Sequence, residues 1–262
     1  MAADENRSEP LVARARPEQW RAWALDLARA GQRQLVAFGL TLVLGLGLAA
    51  LTLVLFAALT EDVLDQETLR LDLAVLTWLQ QLRSPTLDAV AVGITNLGTV
   101  GVFVALVALL AWFARRGRWG TALALLLATG GAQALNNLLK ELFQRTRPEA
   151  VSWHLLGQAY SFPSGHAMVS AAFFGFLAYF GWRALRGRAR VVWCAGMSLL
   201  IVLIGLSRLY LGVHYLTDVA AGYLAGFLWL DAVLVGGHLL GRRGGPTGRL
   251  EPARLQRESS RS

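Results

Sequence analysis

Long apolar runs with few or no charges, separated by short polar clusters, dominate the chain. Six of them, residues 35–60, 89–113, 120–139, 164–182, 191–211 and 217–240, approach or exceed the roughly 20 apolar residues that a helix needs to cross a hydrocarbon core. The first holds 26 residues without a charge, which one large soluble helical domain would break up. The pattern predicts an all-α fold, a polytopic bundle of six transmembrane helices. Between the first two runs, Leu71, Val75, Trp78, Leu79 and Leu82 share one helical face before Ser84-Pro85 stops the run, predicting a short helix on the outer surface.

Three regions follow from this pattern. Residues 1–34 are charged, yet Trp20, Trp23 and Leu27 recur at helical spacing; the segment suits either an interfacial helix or a partly disordered tail. Residues 35–240 form the six-span membrane domain. Residues 241–262, with Gly244, Gly245, Pro246 and terminal serines, read as a disordered tail. The first run is also too long and starts too late for a signal-peptide core of about 7–15 residues, so it is expected to persist as an anchor. No repeat of the kind many transporters carry is visible.

Composition agrees: 55% of the 262 residues are hydrophobic and 16% charged. Cys194 is the only cysteine, which excludes an intrachain disulfide and a cysteine metal site. The net charge of +8 would suit nucleic acid if it formed a basic face. It does not. Six arginines lie before residue 35, three at Arg115, Arg116 and Arg118, four between Arg183 and Arg190, and six after residue 240. Such cations flank spans, mark the cytoplasmic side and meet anionic lipid. Both termini are therefore expected in the cytoplasm. The opposite side receives residues 61–88, where six acids face two arginines, then the loop 140–163 and the turn around His214.

The polar clusters fall on that opposite side. Lys140, the only lysine, precedes Arg147-Pro148. A residue before proline avoids helical geometry, so Arg147 is expected in an extended loop folded back over the site. Its planar fork can hold two phosphate oxygens, and lysine adds a point charge; alone, the pair also fits snorkelling at a membrane edge. Pro163-Ser164-Gly165-His166 places Ser164 as an N-cap, Gly165 where a ligand can approach the backbone, and His166 in the first turn beside amides that favour anions. Alone, it also fits plain capping. Ser207-Arg208 precedes His214 and Asp218, four residues apart, where a carboxylate can fix which ring nitrogen is free; a structural ion pair is the simpler account. Charges at a membrane boundary are functional by default.

Together these residues resemble the membrane members of the type 2 phosphatidic acid phosphatase and vanadium haloperoxidase superfamily. The pattern KxxxxxxRP, PSGH and SRxxxxxHxxxD appears as KELFQRTRP, PSGH and SRLYLGVHYLTD, all eleven specified positions matching in order. The resemblance implies that His214 is the nucleophile, Asp218 its orienting partner and His166 the general acid. It further implies that Lys140, Arg147, Ser164, the Gly165 amide and Arg208 hold phosphate oxygens, with no cofactor. Phosphoryl transfer rests on positioning and charge neutralisation, which suits such a set. The two histidines need opposite protonation states.

A metal held by His166, His214 and Asp218 is the chemical rival, but Lys140, Arg147 and Arg208 would repel it and attract phosphate. The reading is a metal-independent lipid phosphatase on the outer leaflet, the substrate's tail staying in the bilayer. Candidate substrates are phosphatidic acid, undecaprenyl diphosphate and phosphatidylglycerophosphate. A lipid phosphotransferase and a non-catalytic lipid-binding or transport protein are the alternatives. Gln133, Asn136 and Asn137 are expected to bond neighbouring helices, and Gly222 and Gly226 to mark a close helix contact within the bundle. Asp231 suits an internal pair or the inner boundary, and His154 and His238 belong to no motif. Oligomeric state is not legible.

Overall fold

The computed structural model describes residues 17–148 and 160–241. His154 and the segments before residue 17 and after residue 241 lie outside the described residues. Among those described, the fold is all-α: α1 Pro17–Leu64, α2 Leu69–Gln81, α3 Pro85–Asn96, α4 Val102–Arg115, α5 Trp119–Phe143, α6 Gly165–Ala184, α7 Gly187–Tyr210 and α8 Leu216–Gly241. Six stretches are long and apolar enough to cross a membrane: Leu42–Leu64, Pro85–Arg115, Trp119–Phe143, Gly165–Ala184, Gly187–Tyr210 and Leu216–Leu239. They fall where the hydrophobic runs predict them. The chain is a multi-pass membrane protein.

The chain divides into two units, residues 1–47 and 48–262. In the first, α1 is already helical from Pro17, within the segment for which the sequence allows an interfacial helix or a partly disordered tail. The second unit is organised around α6, which packs against α5, α7 and α8. Its apolar window is 56% buried, against 6% for the first span, because α6 is enclosed by protein whereas the other spans turn leucine and valine outward. Such exposed apolar faces are stable only against lipid.

Small residues let α8 close on α6. A Cβ at Gly222 would lie 2.6 Å from the Ser164 carbonyl oxygen, and one at Gly226 2.5 Å from that of Met168. The expected close contact within the bundle is present. Around it, Phe113, Leu125, Phe173, Phe176 and Ile204 form the main apolar cluster.

Two features depart from the sequence pattern. The second span is not one regular helix: a π-helical turn, Leu97–Gly101, joins α3 to α4. Gly98 sits there because a Cβ would come 2.8 Å from Ile204 Cγ2. The short helix α2 exists as expected, but with a different inner face. Leu71, Trp78 and Leu82 are exposed, while Asp72 is fully buried. The stripe facing protein is Asp72, Val75, Leu76 and Leu79, with Leu79 packed on Ala167, Leu209 and Val219. Hydrogen bonding of one carboxylate, described below, outweighs the larger hydrophobic stripe in setting the helix azimuth.

Candidate active site

The polar clusters converge at the end of the bundle where α5 finishes and α6 and α8 begin. Gln144, in the left-handed conformation, ends α5, and the chain continues extended through Arg145 to Pro148. The two ends of the following loop are fastened together. Thr146 and Tyr160 form an antiparallel bridge, the Ser161 amide donates to the Arg145 carbonyl at 2.8 Å, and Ser161 Oγ donates to the Thr146 carbonyl at 3.0 Å. This clasp returns Arg147 over the site, as its position before Pro148 predicts. Arg147 donates to the Val213 carbonyl at 2.8 Å and lies 3.4 Å from His214 Nε2.

His214 precedes α8 instead of lying on it, so its relation to Asp218 is not that of two residues stacked on a helix. The contact forms nonetheless, with Nδ1 3.4 Å from Asp218 Oδ2. Asp218, at the third position of α8, reaches back to accept from the Tyr215 amide at 2.9 Å, the carboxylate half of a capping box. Its other oxygen accepts from Arg145. Burial pushes the His214 imidazole down to about 3 despite the pull of Asp218, so the ring is neutral in the resting protein.

Arg145 carries the next layer. One nitrogen donates to Asp218 Oδ1 at 2.6 Å and to Thr217 Oγ1 at 2.8 Å; the other donates to Asp72 Oδ2 at 2.8 Å. Asp72 also accepts from the Thr217 amide and hydroxyl, at 3.0 and 2.6 Å. Burial opposes the Arg145 charge, but Asp218 and Asp72 outweigh it and hold its pKa above the ordinary value. The guanidinium also stacks 4.4 Å from the Tyr215 ring centroid. Sequence reasoning missed both Arg145 and Asp72. Arg145, two residues before Arg147, offered a signal; Asp72 offered none.

A cavity of about 520 Å³ opens from this cluster. Of the residues singled out in the sequence, Arg147, Gly165, His166, Arg208 and His214 line it. Asp218 lies behind His214. Lys140 does not line the cavity; it is buried and donates to the Tyr160 carbonyl at 2.7 Å. Ser164 occupies the N-cap position of α6, but its hydroxyl makes no capping bond, contrary to the sequence reading. That oxygen is buried with no partner, as are Asn136 Oδ1 and Arg208 Nε.

Unmet polar atoms at full burial are costly unless a ligand completes them. Arg208 is held by one bond, to Thr95 Oγ1 at 2.8 Å. Neither it nor Lys140 has a carboxylate partner among the described residues. Of the two, only Arg208 lines the cavity; an uncompensated guanidinium beside the start of α6 makes that end of the cavity suited to an anion.

Asn136 and Gln133 also line the cavity. Asn136 donates to the Pro163 carbonyl at 3.1 Å, bonding to the segment before α6 instead of a helix. Gln133 bonds Asn137 along its own helix, not a neighbour as expected. Gly165 is required by Asn136, whose Oδ1 would lie 2.8 Å from a Cβ. Away from the charges, Val102, Phe103 and Leu106 make one wall of the cavity apolar.

Comparison with known proteins places this bundle in the class of membrane phosphatases acting on lipid phosphates. The chain belongs to the PAP2 superfamily, whose family profile matches residues 121–238. It is 37% identical over 153 residues to phosphatidylglycerophosphatase B of Bacillus subtilis, covering 56% of this chain and 73% of that protein. It is 35% identical over 155 residues to decaprenylphosphoryl-5-phosphoribose phosphatase of Mycobacterium tuberculosis, covering 54% and 76%. The crystal structure of the transmembrane PAP2-type phosphatidylglycerolphosphate phosphatase from Bacillus subtilis superimposes with a TM-score of 0.65 at 30% identity, covering 73% of this chain and 96% of that one.

Proposed function

We propose that the cavity is the active site and that it hydrolyses a phosphate or diphosphate headgroup on a lipid. The observation that carries this reading is the orientation of His214: Nδ1 faces Asp218, leaving Nε2 beside Arg147 at 3.4 Å. A phosphoryl group held by Arg147, Arg208 and the Gly165 amide meets that nitrogen. Nε2 attacks phosphorus while the bond to the lipid oxygen breaks, and His166 donates its proton to the leaving oxygen. Water, giving a proton back to His166, then attacks the phosphohistidine and frees phosphate. Asp218 stabilises the charge that His214 acquires. Arg145 and Asp72 keep Asp218 in place, and Lys140 braces the segment carrying Ser161. The unpartnered Ser164 hydroxyl supplies a further donor.

The apolar wall at Val102, Phe103 and Leu106 suits the first carbons of an acyl or prenyl chain whose remainder stays in the bilayer. Among substrates, phosphatidylglycerophosphate is favoured by the similarity to the Bacillus subtilis enzymes, with phosphatidic acid and undecaprenyl diphosphate as the other candidates. The arginine-rich segments support a site on the extracytoplasmic side and termini in the cytoplasm. In a Cys194→Ser background, an impermeant thiol reagent applied to intact cells should label a cysteine placed at Pro85 and spare one at Arg116; the reverse refutes this sidedness.

The deciding experiment measures phosphate release from that lipid panel by purified protein. Turnover that persists with a chelator and disappears in His214→Ala is expected. Failure to release phosphate from any of the lipids refutes hydrolysis, and a phosphorylated acceptor lipid in place of free phosphate assigns transfer instead.

A further inference from the structure

The far ends of α5, α6 and α8 line a second cavity, of about 610 Å³ and open to the surface. From Gly165 to Arg183 along α6 is roughly 27 Å at 1.5 Å per residue, so this cavity lies near the opposite membrane surface from the candidate active site. Phe176, Phe180 and Leu234 give it an apolar floor, and Arg118, Arg183, Tyr179 and His238 surround its opening. The two arginines come from different basic clusters, Arg118 just before α5 and Arg183 in the last turn of α6, and the fold brings both to one opening. No carboxylate lines the cavity. Neither arginine has a carboxylate partner among the described residues.

Both arginines are exposed, and each rests against an aromatic ring. The Arg118 guanidinium lies 5.8 Å from the Phe113 centroid and 5.2 Å from that of Phe180, a distance range at which rings attract cations. Arg183 lies 5.7 Å from the Tyr179 centroid and donates to its hydroxyl at 3.1 Å.

From there the hydrogen bonds run in one direction. His238 Nδ1 is 2.8 Å from the Leu234 carbonyl, which can only accept, so Nδ1 carries the proton. In the neutral ring, Nε2 then accepts from the Tyr179 hydroxyl, 3.4 Å away. The acceptors of the network are thereby engaged, and the groups left at the opening are guanidinium donors. Gly120, in the uncapped first turn of α5, adds a helix start to the same lining.

We infer that this cavity binds the phosphate headgroup of an anionic phospholipid in the leaflet opposite the candidate active site. Phosphate oxygens satisfy the donors, and the apolar floor takes the first segment of the lipid tail. The floor favours a lipid over free phosphate, whose chemistry at the opening would be the same.

The test uses the full chain in phosphatidylcholine nanodiscs containing a photoactivatable phosphatidylglycerol, with cross-links mapped to peptides. Labelling of residues 176–184 and 233–238 is expected, with little from the matching phosphatidylcholine probe. The double variant Arg118→Gln/Arg183→Gln should lose roughly tenfold or more of that labelling, as expected for two cations near a lipid surface. Gly237→Leu provides a second route, since Gly237 lines the cavity and has open space around its Cβ position; it fills the cavity while keeping both charges and should also lose the labelling. Phosphate release from the lipid panel shows that each variant is folded. Equal labelling by both probes, or labelling unchanged in both folded variants, overturns the inference. Displacement by millimolar inorganic phosphate overturns the lipid assignment in favour of a soluble phosphate ligand.

Discussion

Asp72 and Thr217, 145 residues apart in the chain, are joined twice: the Thr217 amide reaches one carboxylate oxygen at 3.0 Å and its hydroxyl reaches the other at 2.6 Å. The short helix α2 thereby fixes the first turn of α8, where Asp218 lies. Replacing Asp72 with alanine removes these bonds and one of the two carboxylates facing Arg145, at a cost of about 3 kcal/mol. Thermal unfolding in detergent should show the loss. Because Asp72 acts through Arg145 and Asp218, kcat should fall more than KM rises, and Asp72→Glu should recover part of it. A rise in KM alone contradicts a positioning role.

His166 as proton donor predicts a dependence on the leaving group. His166→Ala should lower hydrolysis of an alkyl phosphate lipid by about a hundredfold or more, and of an aryl phosphate such as p-nitrophenyl phosphate much less, because that leaving group needs no proton. Equal losses on both substrates would reassign His166 to phosphate binding.

The depressed pKa of His214 predicts how the ring titrates. It should stay neutral through pH 5, read by nitrogen-15 chemical shifts of labelled histidine with His214→Gln for assignment; protonation near the ordinary 6.5 contradicts the burial argument. The sign for stability follows. An unfolded chain takes up a proton at His214 near pH 6.5 and the folded protein only near 3, so the contribution to stability is complete above 6.5 and shrinks as pH falls towards 3. Between those values, the wild type should lose more stability than His214→Gln.

Packing at Gly222 links stability to chemistry. An alanine there meets the Ser164 carbonyl at 2.6 Å and forces α8 away from the start of α6, costing about 1–3 kcal/mol. Since the Ser164 amide donates to the Asp218 carbonyl at 2.9 Å, turnover should fall as well. Gly236→Ala, with open space around its Cβ position, serves as the control and should alter neither.

Much of this was legible in the sequence because a bilayer and a phosphate impose residue types directly. Six apolar runs mark the spans, and Arg147, Gly165, His166, Arg208 and His214, all singled out in the sequence, line one cavity. Asp72 was not legible. It is one of six acids between residues 61 and 88, and only its pairing with distant Thr217 and Arg145 distinguishes it. The azimuth of α2 was misread for the same reason: Leu71, Trp78 and Leu82 look like an inner stripe until the carboxylate is placed. Ser164 was read as a cap from its type and position, which do not reveal that its oxygen points elsewhere.

The π-helical turn at Leu97–Gly101 alters the register of the second span. Such a turn holds one residue more than a regular helix, so α4 runs about 100° out of phase with an uninterrupted continuation of α3. Excising a single residue there would shorten the span by only about 1.5 Å, a difference a bilayer absorbs. The rotation would not be absorbed: Thr95 could not keep its bond to Arg208 while Phe103 kept its place on the apolar wall.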